Sequence, residues 1–265
     1  MGRIIGKFIS GAVGPVIFKK LGNTQVVVGR TSKHQIAMTK ATYDAAYIFG
    51  MASTFASYLR NSAAHVLRFY DSDMISRLTG ECNSILQKTF VNMDDTLAYD
   101  YFARLNGFEF NQASPVRKYL FAQPKLTLTE EEVIVEFPNM LIPADLTLIN
   151  HATYCTIAIK VALFDLKNNK FLVQDVQSFE IERQPKSFSI EAQKFTFKSS
   201  PSALCVVYLS LFYTERTFAG NAILNNQQMS PAAILRAEFS PGEADTRDGW
   251  SEMLFNAKKK RKNLK

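Results

Sequence analysis

The most constraining feature of the sequence is a long series of strand-like segments between residues 124 and 241. Residues 125–129 and 194–198 alternate polar and apolar side chains, which places the apolar groups on one face of a strand. Residues 153–165 and 203–213 are apolar almost throughout, which is typical of central strands covered on most sides. Turn-forming residues separate the segments. This spacing predicts about seven or eight antiparallel strands in an immunoglobulin-like β-sandwich.

The first 38 residues are predicted to form a glycine-rich, basic β-hairpin arm. Two valine-containing runs, 16–18 and 26–28, flank Leu21-Gly22-Asn23, which is a plausible two-strand turn. A ribbon of two strands is marginally stable in water. We therefore expect the arm to pack either on the body of its own chain or on a neighbouring chain, where it could add to the edge of a sheet.

A helical region is predicted over residues 39–123. Apolar residues recur at helical spacing over 39–70 and again over 72–91, which predicts an antiparallel helical pair, and a short helix is expected over 93–105. After the sandwich, residues 242–265 are predicted to contain a short amphipathic helix at 251–257 and a basic tail. The predicted fold class is therefore α+β.

Basic residues concentrate at both ends of the chain. Residues 1–43 contain seven Lys or Arg and no Asp or Glu, and residues 258–265 contain six Lys or Arg. Residues 44–257 carry 18 basic against 24 acidic side chains, a net charge of −6, although the whole chain has +7. This distribution favours an anionic partner or an acidic neighbour in an assembly, and the other interpretation is a role in solubility alone. The cations predicted to contact phosphate or an acidic partner are Arg3, Lys7, Lys19, Lys20, Arg30, Lys258, Lys259, Lys260, Arg261 and Lys262.

The sequence contains no pattern typical of a catalytic or metal site. Residues 2–7 are one position short of a phosphate-binding loop, and Phe8 stands where that loop needs a hydroxyl group. No Gly-x-Ser-x-Gly motif is present. The three histidines and three cysteines are not spaced as metal ligands; they are His34, His65, His151, Cys82, Cys155 and Cys205. We therefore predict no cofactor, no metal ion and no enzymatic activity, with an enzyme of unfamiliar type as the alternative.

Three cysteines are few and odd in number, which favours free thiols in a reducing compartment; a disulfide between Cys155 and Cys205 is the alternative. No run of about 18 apolar residues is present, so no membrane-spanning helix is expected. The apolar stretch at 4–18 is interrupted by Lys7 and by glycines, which argues against a signal peptide. These observations predict a cytoplasmic protein.

The N-terminal segment resembles one family. The sequence Ser10-Gly11-Ala12-Val13-Gly14-Pro15, the turn at Gly22, Arg30 and the helix that follows are similar to an uncharacterised protein family common in Bacteroidota. Members of that family begin with a Ser-Gly-Lys-Val-Gly-like segment, followed by a helical region and a β-rich C-terminal half; here Ala12 replaces the family's usual lysine. The resemblance implies a lineage and a general layout, and it supplies no activity and no site residue.

Together these features predict a non-enzymatic structural or interaction protein, a subunit of a larger assembly that uses its hairpin arm and basic termini for contacts. Its expected partner is another protein or a second copy of the chain. The alternative function is binding of RNA or DNA, with the basic ends contacting phosphates, as in a ribosome- or genome-associated protein.

Overall fold

A computed structural model describes residues 2–30, 39–91, 99–243 and 246–255. The chain divides into two compact units, residues 1–46 and residues 47–265. Strands within the described residues pair antiparallel throughout, and two α-helices accompany them. The α+β class predicted from the sequence is thus confirmed.

The first unit contains a four-stranded meander rather than a single hairpin. Its strands are β1 (Arg3–Ile5), β2 (Phe8–Val13), β3 (Val16–Leu21) and β4 (Thr24–Gly29), paired in the order β1-β2-β3-β4. Each two-residue turn starts with a glycine at positive φ, namely Gly6 at 59°, Gly14 at 56° and Gly22 at 59°. Only glycine adopts this conformation at little steric cost, so the eight-residue glycine spacing sets the strand lengths. The predicted turn at Gly22 joins β3 to β4, but the prediction of only two strands is wrong.

Helix α1 (Lys40–Ser62) begins in the first unit and continues into the second. Thr39 precedes it, and the Thr39 Oγ1 accepts a hydrogen bond from the Thr42 N–H at 3.3 Å, which satisfies one free donor of the first turn. Helix α2 (Met74–Val91) follows, and a 3₁₀ segment spans Tyr99–Leu105. The first helix ends at Ser62, eight residues before the predicted limit.

A central eight-stranded antiparallel sheet forms the middle of the second unit. Its strands are β5 (Phe108–Glu109), β9 (Tyr154–Asp165), β10 (Lys170–Val173), β11 (Gln177–Glu182), β14 (Leu204–Thr217), β15 (Gly220–Ile223), β16 (Ala232–Phe239) and β17 (Ser251–Glu252). They pair in the order β17-β10-β9-β14-β16-β5, while β11 pairs with β9 and β15 pairs with β14.

Two smaller sheets lie in the same unit. One has the order β13-β7-β6, and the other pairs β12 with β8. Their bounds are β6 (Lys125–Leu128), β7 (Glu132–Phe137), β8 (Met140–Ile142), β12 (Phe188–Ile190) and β13 (Gln193–Lys198). The strands predicted between residues 124 and 241 are therefore divided among three sheets.

The central sheet is buried on both faces. Along β9, Ala158, Ala162 and Phe164 belong to a core shared with α1 and α2. The alternate residues Ile157 and Ile159 belong to a second core, shared with the two smaller sheets. Two-sided burial explains why β9 and β14 are apolar at nearly every position, because neither face of these strands meets water.

The C-terminal segment is extended, so the prediction of a helix starting at Ser251 is wrong. Ser251 and Glu252 form β17, and the Met253 N–H donates a hydrogen bond to the Asn169 carbonyl at 2.7 Å. Met253 and Phe255 are buried while Leu254 between them is 80% exposed, which is the alternation of a strand. The segment therefore completes the edge of the central sheet.

Candidate interaction surface

The N-terminal sheet has no buried residue anywhere between residues 2 and 30. Several of its apolar side chains instead face solvent, with Ile4 78% and Leu21 73% exposed. Other exposed apolar residues of the sheet are Ile5, Ile9, Val13, Val27 and Val28. A sheet normally buries at least one face, so this one leaves its hydrophobic stabilisation unrealised until another surface covers it.

One side chain adds to the pairing between the two halves of this sheet. The paired register of β2 with β3 ends at Gly11 and Phe18, short of the start of β2. The Gln25 side chain fills this gap: its Oε1 accepts from the Ile9 N–H at 2.8 Å, and its Nε2 donates to the carbonyls of Ile9 at 3.0 Å and Lys19 at 2.9 Å. No local pattern singles out Gln25, because its partners Ile9 and Lys19 are 16 and 6 residues away.

The N-terminal cations predicted as contact residues lie in or beside this sheet. Lys7 lies in the β1–β2 turn, and Lys20 lies in β3. Their Nζ atoms lie 5.7 Å and 4.8 Å from the centroid of the Phe8 ring, within the range of cation–π attraction. Within residues 2–30, none of the cations forms an ion pair with a described carboxylate, and all are exposed. Arg3, Lys19 and Arg30 are the others, in β1, in β3 and just after β4.

The remaining predicted contact residues belong to the basic tail. Lys258, Lys259, Lys260, Arg261 and Lys262 lie outside the described residues. The structure therefore places the five N-terminal cations on one small sheet, on both of its faces, and of the predicted contact residues these alone belong to the candidate surface.

The thiols of the chain are unsuited to nucleophilic chemistry. Cys82, Cys155 and Cys205 are free and buried. Burial raises the pKa of Cys155 to about 12 and that of Cys205 to about 12, with the nearby Glu238 carboxylate also raising the latter. Burial likewise raises the pKa of Cys82 far above its usual range. Thiols in such surroundings stay protonated near neutral pH, so they behave as small apolar core residues.

Two buried charged groups were missed by sequence reasoning. Arg247 and Asp165 form an ion pair, with Nε–Oδ2 at 2.8 Å and both side chains almost fully buried. Arg247 also donates to the Ser200 hydroxyl and to the Pro201 carbonyl, and its guanidinium lies 4.9 Å from the Trp250 ring centroid. These contacts fasten the C-terminal segment to the end of the central sheet. Their role is structural, because each of the three guanidinium nitrogens donates a hydrogen bond to a protein group.

Lys160 is a third buried charged group. It lies in β9 and is 3% exposed, opposite Tyr208 of β14. Burial lowers the pKa of Lys160, and the carboxylate of Asp175 opposes that effect. No group of three or more His, Cys, Asp or Glu side chains that could hold a metal ion occurs in the part of the chain that the structure describes.

Comparison of the chain with models of protein families, with curated proteins and with solved structures finds no match. Among the helices of the described residues, none combines the length and the apolar character needed to cross a membrane. The candidate surface must therefore be interpreted from its own geometry.

Proposed function

We propose that this chain is a non-enzymatic structural or interaction protein, a subunit of a larger assembly, and that its N-terminal sheet is the contact element. One observation carries the proposal: a four-stranded sheet exposes apolar side chains and five cations while burying none of its residues. Isolated chains rarely leave such a surface uncovered, and exposed apolar patches bordered by polar groups typically mark interaction sites.

The chemistry of the surface selects the partner. Apolar contact supplies affinity, and the cations favour a surface with negative charge. The region 44–257 of this same chain has a net charge of −6, so a second copy presents the required sign of charge. A homo-oligomer in which the N-terminal sheet of one copy lies on the body of another is therefore the preferred form of the proposal.

Solution mass tests the proposal. Sedimentation velocity of the full chain at about 1–50 μM should show species heavier than the monomer. The substitutions Leu21→Glu and Val27→Glu place carboxylates on the exposed sheet and should return the protein to monomer, whereas Val176→Glu, at an exposed position of the body, should not. A strict monomer whose stability is unchanged by deletion of residues 1–30 would contradict the proposal.

The alternative function is contact with RNA or DNA. The observation that favours it is the complete absence of acidic residues over positions 1–43 beside seven Lys or Arg. Phosphate binding by these groups should weaken steeply with salt, with a log–log slope of about −0.9 per phosphate contacted on duplex DNA. Apolar docking on a protein surface depends far less on salt, so a salt titration separates the two functions.

The finer predictions from the sequence belong to the same proposal. We place the immunoglobulin-like arrangement in the layers formed by the central sheet and the two smaller sheets, which share one core. A cytoplasmic setting is supported by the three free cysteines. The Bacteroidota lineage is supported by the glycine-rich N-terminal segment alone.

A further inference from the structure

The two edges of the three-stranded sheet differ in one respect. On the β13 edge, Gln174 of the β10–β11 connection donates from Nε2 to the Lys198 carbonyl at 2.7 Å and accepts the Lys198 N–H at 2.9 Å. Gln177 donates to the Thr196 carbonyl at 2.8 Å on the same edge. Side chains thus occupy the backbone groups that a further strand would need, so this edge is closed.

The opposite edge, formed by β6, is open. The Thr129 N–H donates to the Glu132 carbonyl at 2.9 Å at the β6–β7 turn, and hydrogen-bonded pairs alternate along an antiparallel ladder from there. The backbone groups of Leu126 and Leu128 therefore point away from β7. Among the described residues, the N–H groups of Leu126 and Leu128 have no backbone or side-chain acceptor.

A groove lies beside this open edge. Its volume is about 270 Å³, and its walls include Leu126 and Leu128 of β6, Val207 of β14, and the paired Arg236 and Glu238 of β16. The three-stranded sheet leaves this side of β16 uncovered. A strand added to β6 would extend that sheet over β16 and would place alternate side chains against Val207 and Leu128.

Charge selects which strand the groove receives. Three consecutive exposed carboxylates lie at the end of the open edge, Glu130 and Glu131 in the β6–β7 turn and Glu132 at the start of β7. The N-terminal sheet carries cations and no acid. Of its two outer strands, β1 has three residues and β4 has six, so only β4 is long enough to pair with all four residues of β6.

The outer edge of β4 can supply the complementary bonds. Leu21 and Thr24 flank the two-residue turn and are the first pair of the β3–β4 ladder. Alternation from that pair turns the backbone groups of Gln25, Val27 and Gly29 outward. Each copy of the chain thus carries two open strand edges, one in the cationic N-terminal sheet and one that ends beside three carboxylates.

We propose that β4 of one copy pairs with β6 of a second copy, so that the N-terminal sheet of the first extends the three-stranded sheet of the second. This inference rests on the proposed function and names its acceptor site. Because donor and acceptor are different surfaces, the contact is head-to-tail, and it produces either a closed ring or an open chain of subunits.

Proline variants test the pairing, since proline removes a single outward N–H while leaving the internal ladder intact. Leu126→Pro disables the acceptor and Val27→Pro disables the donor. Leu126→Ala and Val27→Ala lose the same side chains but keep the N–H, so they are the matched controls. Circular dichroism and thermal unfolding establish that each variant is folded before its mass is measured.

Each proline variant should weaken self-association by about tenfold or more relative to its alanine control, because a lost ladder bond and a steric clash act together. A mixture of the two proline variants should form one-to-one complexes and nothing larger, since Leu126→Pro still donates β4 and Val27→Pro still accepts it at β6. Assembly by wild type that persists unchanged in Leu126→Pro would overturn the β6 acceptor while leaving the proposed function standing. A wild-type chain that is monomeric throughout would overturn both.

Discussion

Replacing Arg247 by alanine should destabilise the protein more than the loss of any exposed charge. Its guanidinium makes three directed contacts: to the Asp165 carboxylate at 2.8 Å, to the Ser200 hydroxyl and to the Pro201 carbonyl. The Arg247 backbone carbonyl also accepts a hydrogen bond from Lys170 Nζ at 3.2 Å, which alanine would keep. The substitution therefore removes the side-chain anchor of the C-terminal segment but not its backbone contact.

The expected loss follows from the burial of the partner carboxylate. Removing one member of a buried ion pair typically costs 3–5 kcal/mol, because the other charge remains buried without compensation. Asp165 would keep three hydrogen bonds from its own turn, from the N–H groups of Lys167 and Asn168 and from the Asn168 amide, at 2.9–3.1 Å. These bonds partly solvate the carboxylate, so we expect about 3 kcal/mol, at the lower end of that range.

Chemical denaturation of the full chain measures this loss, with Arg104→Ala as the matched control. Arg104 also lies 2.8 Å from a carboxylate, that of Glu81, but its side chain is 44% exposed. Exposed pairs contribute about 0–1 kcal/mol, so the control should lose less than about 1 kcal/mol. Equal losses in the two variants, or a loss below about 1 kcal/mol in Arg247→Ala, would refute the argument that burial makes this pair matter.

Three further changes should follow from the same structure. Burial raises the pKa of Asp165, but the hydrogen bonds from Arg247 and Asn168 together lower it, so the folded pKa lies below the unfolded value of 3.8. The contribution of Asp165 to stability is therefore present above pH 3.8 and is lost as the pH falls through the folded pKa. Asp165→Asn should flatten this part of an acid-unfolding curve followed by circular dichroism. Lys160→Met should stabilise the protein by roughly 1 kcal/mol at pH 7, because burial disfavours the charged form of Lys160 and lowers its pKa. Between the folded and unfolded pKa values of Lys160, unfolding takes up a proton, so the stability of the wild type should rise with pH in that window. A variant that keeps the same slope of stability against pH would contradict this. Phe255→Ala should cost about 3–5 kcal/mol in urea denaturation because Phe255 is fully buried against Phe55, whose ring centroid lies 5.7 Å away, whereas Leu254→Ala, at an 80% exposed position, should cost little.

The sequence was most informative where burial is two-sided. Long apolar runs predicted the central strands, and they correspond to β9 and β14, because a strand covered on both faces cannot carry a polar face. The N-terminal sheet was underestimated for the opposite reason. Its strands bury nothing, so apolar alternation carries no signal there, and the informative pattern was the regular spacing of Gly6, Gly14 and Gly22.

The C-terminal segment and the sheet edges needed information that lies far along the chain. Met253 and Phe255 suit either a strand or one side of a short helix, and Phe55, which contacts Phe255, is 200 residues away in sequence. The difference between the closed β13 edge and the open β6 edge depends on Gln174 meeting Lys198. No local sequence pattern predicts the contact of Phe55 with Phe255 or that of Gln174 with Lys198, whereas the exposed N-terminal cations could be recognised from charge alone.

The buried position of Phe255 has a consequence for biosynthesis. Phe55 of helix α1 leaves the ribosome roughly 200 residues before Phe255, whose ring packs against it. The packing of this helix is therefore incomplete until Phe255 has been synthesised. Translation products that stop short of Phe255 would present this incompletely packed helix to chaperones and proteases. Cells should therefore clear copies that terminate before Phe255 faster than full-length ones.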